Sequence, residues 1–274
     1  MTIAIALLLA LVSTTLTNLA YVRQHAAATD LPALSLARPV QAVRMLLADP
    51  RWRRGFALEA SGYLLYAAAL AVAPLALVQS AAAGGIGILA YLSRRISGHR
   101  VGRRTMIGVM LSVVGLLSLG LSLQSGPTAG HTGSIALVLV WLGGTAAAAA
   151  AVYVLGRPVL PRVVVCGIAG GLCFSVGDIA TKLATQWGPR SAFVVAVFLG
   201  YGAGTSLLQL GYQAGAALTV AGLATLLANV LPIAAGTVLL EEPVPSGALG
   251  GARVFAFFAV TAGAVLLTKP AGET

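Results

Sequence analysis

Only seven acidic residues occur among the 274 of this chain, and two of them, Glu59 and Asp178, fall inside apolar runs. A carboxylate in such a place costs roughly 2.5–3.5 kcal/mol on insertion scales, so it is a functional candidate by default. Glu59 shares one helical face with Gly62, Tyr63 and Tyr66, a polar stripe suited to a cavity. It also lies five residues past Arg54, only about 7 Å along a helix, where pairing with an arginine at the interface is the competing reading. Asp178 and Lys182 stand four apart and can pair; Lys182, near Trp187, can also snorkel outward. Arg253, about two turns into the last apolar run, is placed to reach Asp178 or Glu242. These three read either as an outer salt-bridge cluster or as a gate that exchanges protons.

The remaining polar candidates are uncharged. Tyr201, Thr205 and Gln209 share a face of one apolar run, and Thr225, Asn229 and Pro232 share a face of the next. Pro232 frees a carbonyl one turn earlier, which can line a cavity. A pocket of this kind suits a small polar or amphipathic solute better than a bare divalent ion. Hydrogen bonding between helices is the alternative role for the same residues.

Other chemistries lack their residues. Cys166 and Cys173, seven apart on one apolar helix, read as small packing residues, and His25, His99 and His131 have no ligand-like spacing. No HExxH, GxxxxGK[ST] or G-x-S-x-G pattern occurs, so neither an enzyme nor a bound cofactor is expected. The net charge of +10 does not indicate nucleic acid. Thirteen of the 17 basic residues gather at Arg23–Arg54, Arg94–Arg104 and Arg157–Arg162, which is the positive-inside pattern of a membrane protein among anionic lipids.

The elements that must position these residues are apolar helices. With 58% hydrophobic and 9% charged residues, and a mean hydropathy of +0.94, the chain is unlike soluble domains, which carry about 25% charged residues. Runs of ~20 residues suffice to span a bilayer. Nine are expected, at Thr2–Val22, Phe56–Ala73, Leu75–Arg94, Thr105–Leu123, Ile135–Leu155, Val163–Thr185, Ser191–Tyr212, Ala216–Leu240 and Gly247–Thr268. There are ten if Leu34–Ala48, read as a short helix on the cytoplasmic surface, also crosses. The first run lacks a basic n-region and exceeds the length of a signal peptide's core, so it reads as a span. Its Ser13, Thr14, Thr15, Thr17 and Asn18 are too polar to face lipid all round. Nine spans place the N-terminus outside, the C-terminus in the cytoplasm and each arginine-rich loop inside, in a bacterial inner membrane.

A weak repeat links the halves. Leu65–Val78 aligns with Leu208–Ala221, matching Leu65 with Leu208, Ala71 with Ala214, Ala73 with Ala216 and Leu75 with Leu218. Gly98-His99 then faces Glu241-Glu242. Spans two to four correspond to spans seven to nine, a shift of five, so the copies run in opposite senses. One membrane domain, 1–274, would hold a first repeat of about 1–124 and a second of about 134–269. Inverted repeats belong to transporters whose sites lie near mid-membrane between the copies.

On these residues the chain resembles the drug/metabolite transporter superfamily of EamA-like folds, nearest its NIPA-type magnesium branch. The carriers are Trp52-x-x-Gly55, Ala73-Pro74-x-x-x-Val78, Gly108 and Gly115, and Phe174-Ser175-Val176 through Lys182. The resemblance implies alternating access in an all-helical membrane protein. The magnesium branch has an acidic residue after the span-two glycine, where this chain has Tyr63, and another where it has His99. Mg²⁺ prefers carboxylate and water oxygens. The expectation is therefore a transporter of a small metabolite or amphipathic solute, with divalent-cation transport as the alternative. A non-transporting membrane scaffold is the reading from another class. A transporter requires a cavity bounded by spans two, seven and eight; a scaffold requires a dry centre.

Overall fold

The computed structural model describes residues 2–73, 75–82, 85–96, 102–121, 134–186, 188–239 and 247–268. Among these the chain is helical without a strand. The helices are α1 (Thr2–Ala28), α2 (Pro39–Ala48), α3 (Pro50–Val72), α4 (Leu75–Ala82), α5 (Gly85–Ile96) and α6 (Arg103–Leu121). They continue as α7 (Ile135–Leu155), α8 (Arg162–Ala184), α9 (Val194–Tyr212), α10 (Ala217–Leu239) and α11 (Ala248–Thr268). A 3₁₀ turn, Gly188–Phe193, leads into α9. Six of the helices, α1, α3, α7, α8, α9 and α10, are long and apolar enough to cross a membrane. All-helical structure is what such a solvent demands, since a helix satisfies its own backbone polar groups.

Some boundaries differ from the sequence expectation. The first helix does not stop at Val22 but runs six residues further, with Arg23 turned outward while Gln24 and His25 are buried. A single charge ended the apolar run without ending the helix. The surface helix begins at Pro39, not Leu34, because proline suits the first helical turn, where no N–H is needed. Across the third expected span the described residues form α4 and α5, on either side of the undescribed 83–84. Pro74, Gly84, the Gly98-His99 and Glu241-Glu242 hairpins, Trp187, and the loop before Ser134 lie outside the described residues.

Packing organises the helices around α8, which is buried along nearly its whole length against α7, α9 and α10. Its sequence permits this. A Cβ at Gly167 would lie 2.9 Å from the Val220 carbonyl oxygen, and one at Gly171 would lie 2.7 Å from that of Ala224. These two glycines, four apart, let the backbone of α10 approach closely where no hydrophobic drive exists between helices in lipid. On the other side of the molecule α3 packs along α1, and α1 also touches α4 and α5. Helices α6 and α11 pack on each other. Outward faces carry exposed apolar side chains such as Leu64 of α3, Val140 of α7 and Phe198 of α9, a surface made for hydrocarbon.

A candidate solute cavity and the groove beside it

The polar residues of six helices meet in one cavity of about 120 Å³. Its walls are Ser13, Thr14, Thr17, Asn18 and Tyr21 of α1, Glu59, Tyr63 and Tyr66 of α3, and Gln79 and Ala82 of α4. Phe174 and Asp178 of α8, Tyr201 of α9, and Thr225, Ala228 and Asn229 of α10 close it. Helices α3, α9 and α10 thus bound the cavity, joined by α1, α4 and α8.

Each carboxylate is held by a donor from the helix packed against its own. Gln24 Nε2 of α1 donates to Glu59 Oε2 at 2.6 Å, and Gln209 Nε2 of α9 donates to Gln24 Oε1 at 2.6 Å. As a carboxylate Glu59 only accepts, so it fixes the direction of the whole chain. The interfacial arginine pairing considered for Glu59 is not what forms; among the described residues the ion pairs run from Arg51 to Asp30 and Asp49. Asp178 accepts from the Tyr201 hydroxyl across the α8–α9 contact. It lines the cavity; an outer salt-bridge cluster and a proton-exchanging gate were the two roles expected of it. Lys182, one turn on, donates to the Leu70 and Ala73 carbonyl oxygens, both at 2.8 Å. It therefore ties the C-terminal end of α3, where helix carbonyls lack partners and favour a cation.

The tyrosines are ordered by similar logic. Thr181 Oγ1 donates to the Gly177 carbonyl, so at 3.2 Å it can receive only from the Tyr63 hydroxyl. Gln79 Nε2 donates to the Tyr66 hydroxyl at 2.7 Å. Close backbone approach sets the registers. Ser13 Oγ donates to the Gly62 carbonyl at 2.7 Å, and a Cβ at Gly62 would lie 2.7 Å from Thr17 Oγ1. Glycine at 62 thereby brings Glu59 and Tyr63 up to α1.

Two asparagines complete the cavity with the same device. Asn18 Nδ2 donates to the Thr14 carbonyl at 2.7 Å, and Asn229 Nδ2 donates to the Thr225 carbonyl at 2.6 Å. A carbonyl cannot donate, so each amide is oriented and its Oδ1 is turned away from its own helix. Both Oδ1 atoms are buried without a hydrogen-bond partner, in residues 2% and 3% exposed. Such groups are rare in folded proteins and call for an explanation. On the same wall, Pro232 withdraws one helical donor from the Ala228 carbonyl.

Beside the cavity lies an apolar groove of about 550 Å³ between α3 and α9, closed at one end by α2. Val43, Leu46 and Leu47 of α2, Trp52, Phe56 and Ala60 of α3, and Val197, Phe198, Gly202, Thr205 and Ser206 of α9 line it. The indole of Trp52 stacks on Phe56 with ring centres 5.1 Å apart. Glu59, Tyr63 and Tyr201 line the groove as well as the cavity. The Tyr63 and Tyr201 rings meet edge to face at 4.9 Å and form the partition between the two spaces.

Of the residues singled out from sequence, Glu59, Tyr63, Tyr66, Asp178, Tyr201, Thr225 and Asn229 come together on the cavity wall. Thr205 lies in the groove, and Gln209 is buried behind Glu59, reaching it through Gln24. Lys182 holds the end of α3, and the Arg253 side chain lies outside the described set. Sequence reasoning missed Gln24, Gln79 and Tyr21. Gln24 could have been found by continuing the helical face of Ser13, Thr17 and Tyr21 past Arg23. No group of three metal-ligating side chains occurs among the described residues, and both cysteines are free. No family model, curated protein or solved structure matches the chain.

Proposed function

We propose that this protein is a multi-spanning membrane transporter that carries a small metabolite or amphipathic solute through the central cavity by alternating access. One observation carries the reading: five of the six helices long and apolar enough to cross a membrane, from both halves of the chain, meet with α4 around one cavity lined by two carboxylates. A scaffold gains nothing from desolvating Glu59 and Asp178 around empty space, whereas a solute site needs such groups.

The helix contacts support the inverted-repeat organisation expected from sequence. Helix α1 packs on α3 and on α4 and α5, as α8 packs on α9 and α10. With α7 as the link, α6 and α11 are the fourth helices of the two copies. On this reading nine spans cross a bacterial inner membrane, with the N-terminus outside and the C-terminus in the cytoplasm. The resemblance to the drug/metabolite transporter superfamily agrees with that arrangement. Protons are the candidate coupling ion, exchanged at Asp178 or Glu59.

A second reading is transport of a divalent cation such as Mg²⁺, favoured by the oxygen acceptors around the cavity. Both readings are tested by thermal melting of the purified protein against metabolites, organic cations and Mg²⁺ at two pH values. Ligands that bind the folded state raise the melting temperature. A solute shift abolished by Asn229→Ala supports the cavity as the site. A shift with Mg²⁺ alone, lost in Glu59→Gln, would move the assignment to the metal. No shift with any solute, together with no uptake into proteoliposomes, would favour a scaffold.

A further inference from the structure

The cavity and the groove differ in chemistry but share three residues, and together they describe one ligand. Consider first what the cavity offers. Glu59 and Asp178 bring carboxylates to its wall, and Asn18 and Asn229, their amides oriented by their own helices, line it beside them. Ser13 and Thr14 spend their hydroxyl hydrogens on the Gly62 and Ala82 carbonyls, the latter at 3.2 Å, leaving lone pairs. Four of the donors nearby are committed: Gln24 to Glu59, Tyr201 to Asp178, Tyr63 to Thr181 and Gln79 to Tyr66. A site of acceptors with two carboxylates calls for a ligand rich in N–H donors that carries positive charge.

The groove calls for the opposite. Apart from the shared Glu59, Tyr63 and Tyr201, its lining is aliphatic and aromatic except for Thr205 and Ser206. Helix α3 packs on α1 and α9 packs on α8, and the groove between α3 and α9 keeps Phe56 and Phe198 exposed. The shared residues sit where the two spaces meet, so a molecule can occupy both at once by displacing the edge contact of Tyr63 on Tyr201.

We propose that the ligand is an amphipathic amine, with its ammonium group in the cavity between Glu59 and Asp178 and its hydrocarbon chain in the groove between α3 and α9. The inference deepens the transport reading above and rests on it. The ligand reaches the cavity sideways from the membrane, past Tyr63 and Tyr201.

The test measures equilibrium binding of radiolabelled decylammonium to the full-length protein in lipid nanodiscs, with protein-free nanodiscs subtracted. Gly202 provides the decisive variant, because a side chain added there meets nothing within 4 Å and projects into the groove. Gly202→Trp is expected to weaken decylammonium binding at least tenfold while leaving competition by methylammonium unchanged. Ala60→Phe, on the facing wall, repeats the test if the first variant folds poorly. Asp178→Asn and Asn229→Ala are expected to weaken both amines, and decanoate is expected not to compete. Unchanged decylammonium binding in both groove variants, or equal competition by decanoate, would overturn the proposal. Uptake into proteoliposomes separates it from the transport reading. Loss of decylammonium binding with uptake of other solutes intact sinks only the ligand assignment. Saturable binding with no uptake of any solute keeps the site and sinks the transporter.

Discussion

Two helix pairs, α1 with α3 and α8 with α9, each deliver one carboxylate to the cavity, and they are held together differently. The α1–α3 seam adds to its glycine contacts at Gly55 and Gly62 two side-chain hydrogen bonds, Ser13 to the Gly62 carbonyl and Gln24 to Glu59. The α8–α9 seam is closed by glycine. A Cβ at Gly200 would lie 2.6 Å from the Gly177 nitrogen, and one at Gly204 would lie 2.7 Å from the Phe174 ring. Its carboxylate bond, Tyr201 to Asp178, is added to a contact already made by shape. In lipid each strategy substitutes for the missing hydrophobic drive, but they fail differently. Close packing tolerates no added volume, whereas a hydrogen-bonded seam loses one modest bond at a time.

The difference can be broken at its strongest point first. Gly200→Ala forces backbone apart at Gly177 and Cys173 and is expected to cost about 3 kcal/mol, the upper end for overpacking. Thermal melting in detergent reads this directly, and an unchanged midpoint would show that the seam is not shape-limited. Next come the carboxylates. Glu59→Gln and Asp178→Asn keep hydrogen-bonding shape but remove charge, and each is expected to weaken a cationic ligand about tenfold, near 1.4 kcal/mol. If only one does, the two seams do not contribute equivalent halves of the site.

Smaller effects sharpen the contrast. Gly62→Ala presses on the Thr17 hydroxyl and the Ser13 carbonyl, and about 1–2 kcal/mol is expected because a side chain can give way. Ser13→Ala removes one interhelical bond to a carbonyl already inside a helix, for which about 0.6 kcal/mol is typical in membranes. A loss as large as that of Gly200→Ala would mean that the α1–α3 seam depends on that single bond. The smallest effect lies at Asp49, whose carboxylate caps α3 by accepting from the Arg51 and Trp52 N–H groups at 2.7 and 3.1 Å. The Trp52 N–H bond first, and Arg51 beside it, hold this carboxyl below the usual range. A lowered carboxyl stabilises the fold above its unfolded pKa and loses that stabilisation as pH falls through the folded one. The melting difference between wild type and Asp49→Ala is therefore expected to be full at neutral pH and to close below about pH 4. A difference that widens in acid would contradict the capping role.

Much of the fold was legible because lipid imposes one rule: long apolar runs become helices. Six expected spans, those of α1, α3, α7, α8, α9 and α10, have counterparts among the helices that can cross a membrane. The failures have local causes. Arg23 looked like the end of a span, yet a helix can turn one charge outward and continue, which hid Gln24 from view. Helical faces grouped Glu59 with Tyr63 and Tyr66, and Thr225 with Asn229, since side chains three and four apart are neighbours by geometry alone. Periodicity gives no partner across helices. Lys182 and Arg253 were the partners weighed for Asp178, and nothing in the spacing pointed to Tyr201, a donor from the next helix. Similarly, Tyr201, Thr205 and Gln209 share a face, but three different neighbours divide that face among cavity, groove and core.

Lys182 fixes the two carbonyls at one extremity of α3, and the rest of that helix carries Glu59, Tyr63 and the wall of the groove. A rod held at its tip moves most at the far end. At 1.5 Å per residue Glu59 stands about 21 Å from that anchor, so a tilt of about 10° would swing it by nearly 4 Å. Such a sweep exceeds the tolerance of the Gln24 bond. If α3 rocks in the transport cycle proposed above, the ammonium of Lys182 would be its fulcrum and Glu59 would exchange its Gln24 bond for another partner.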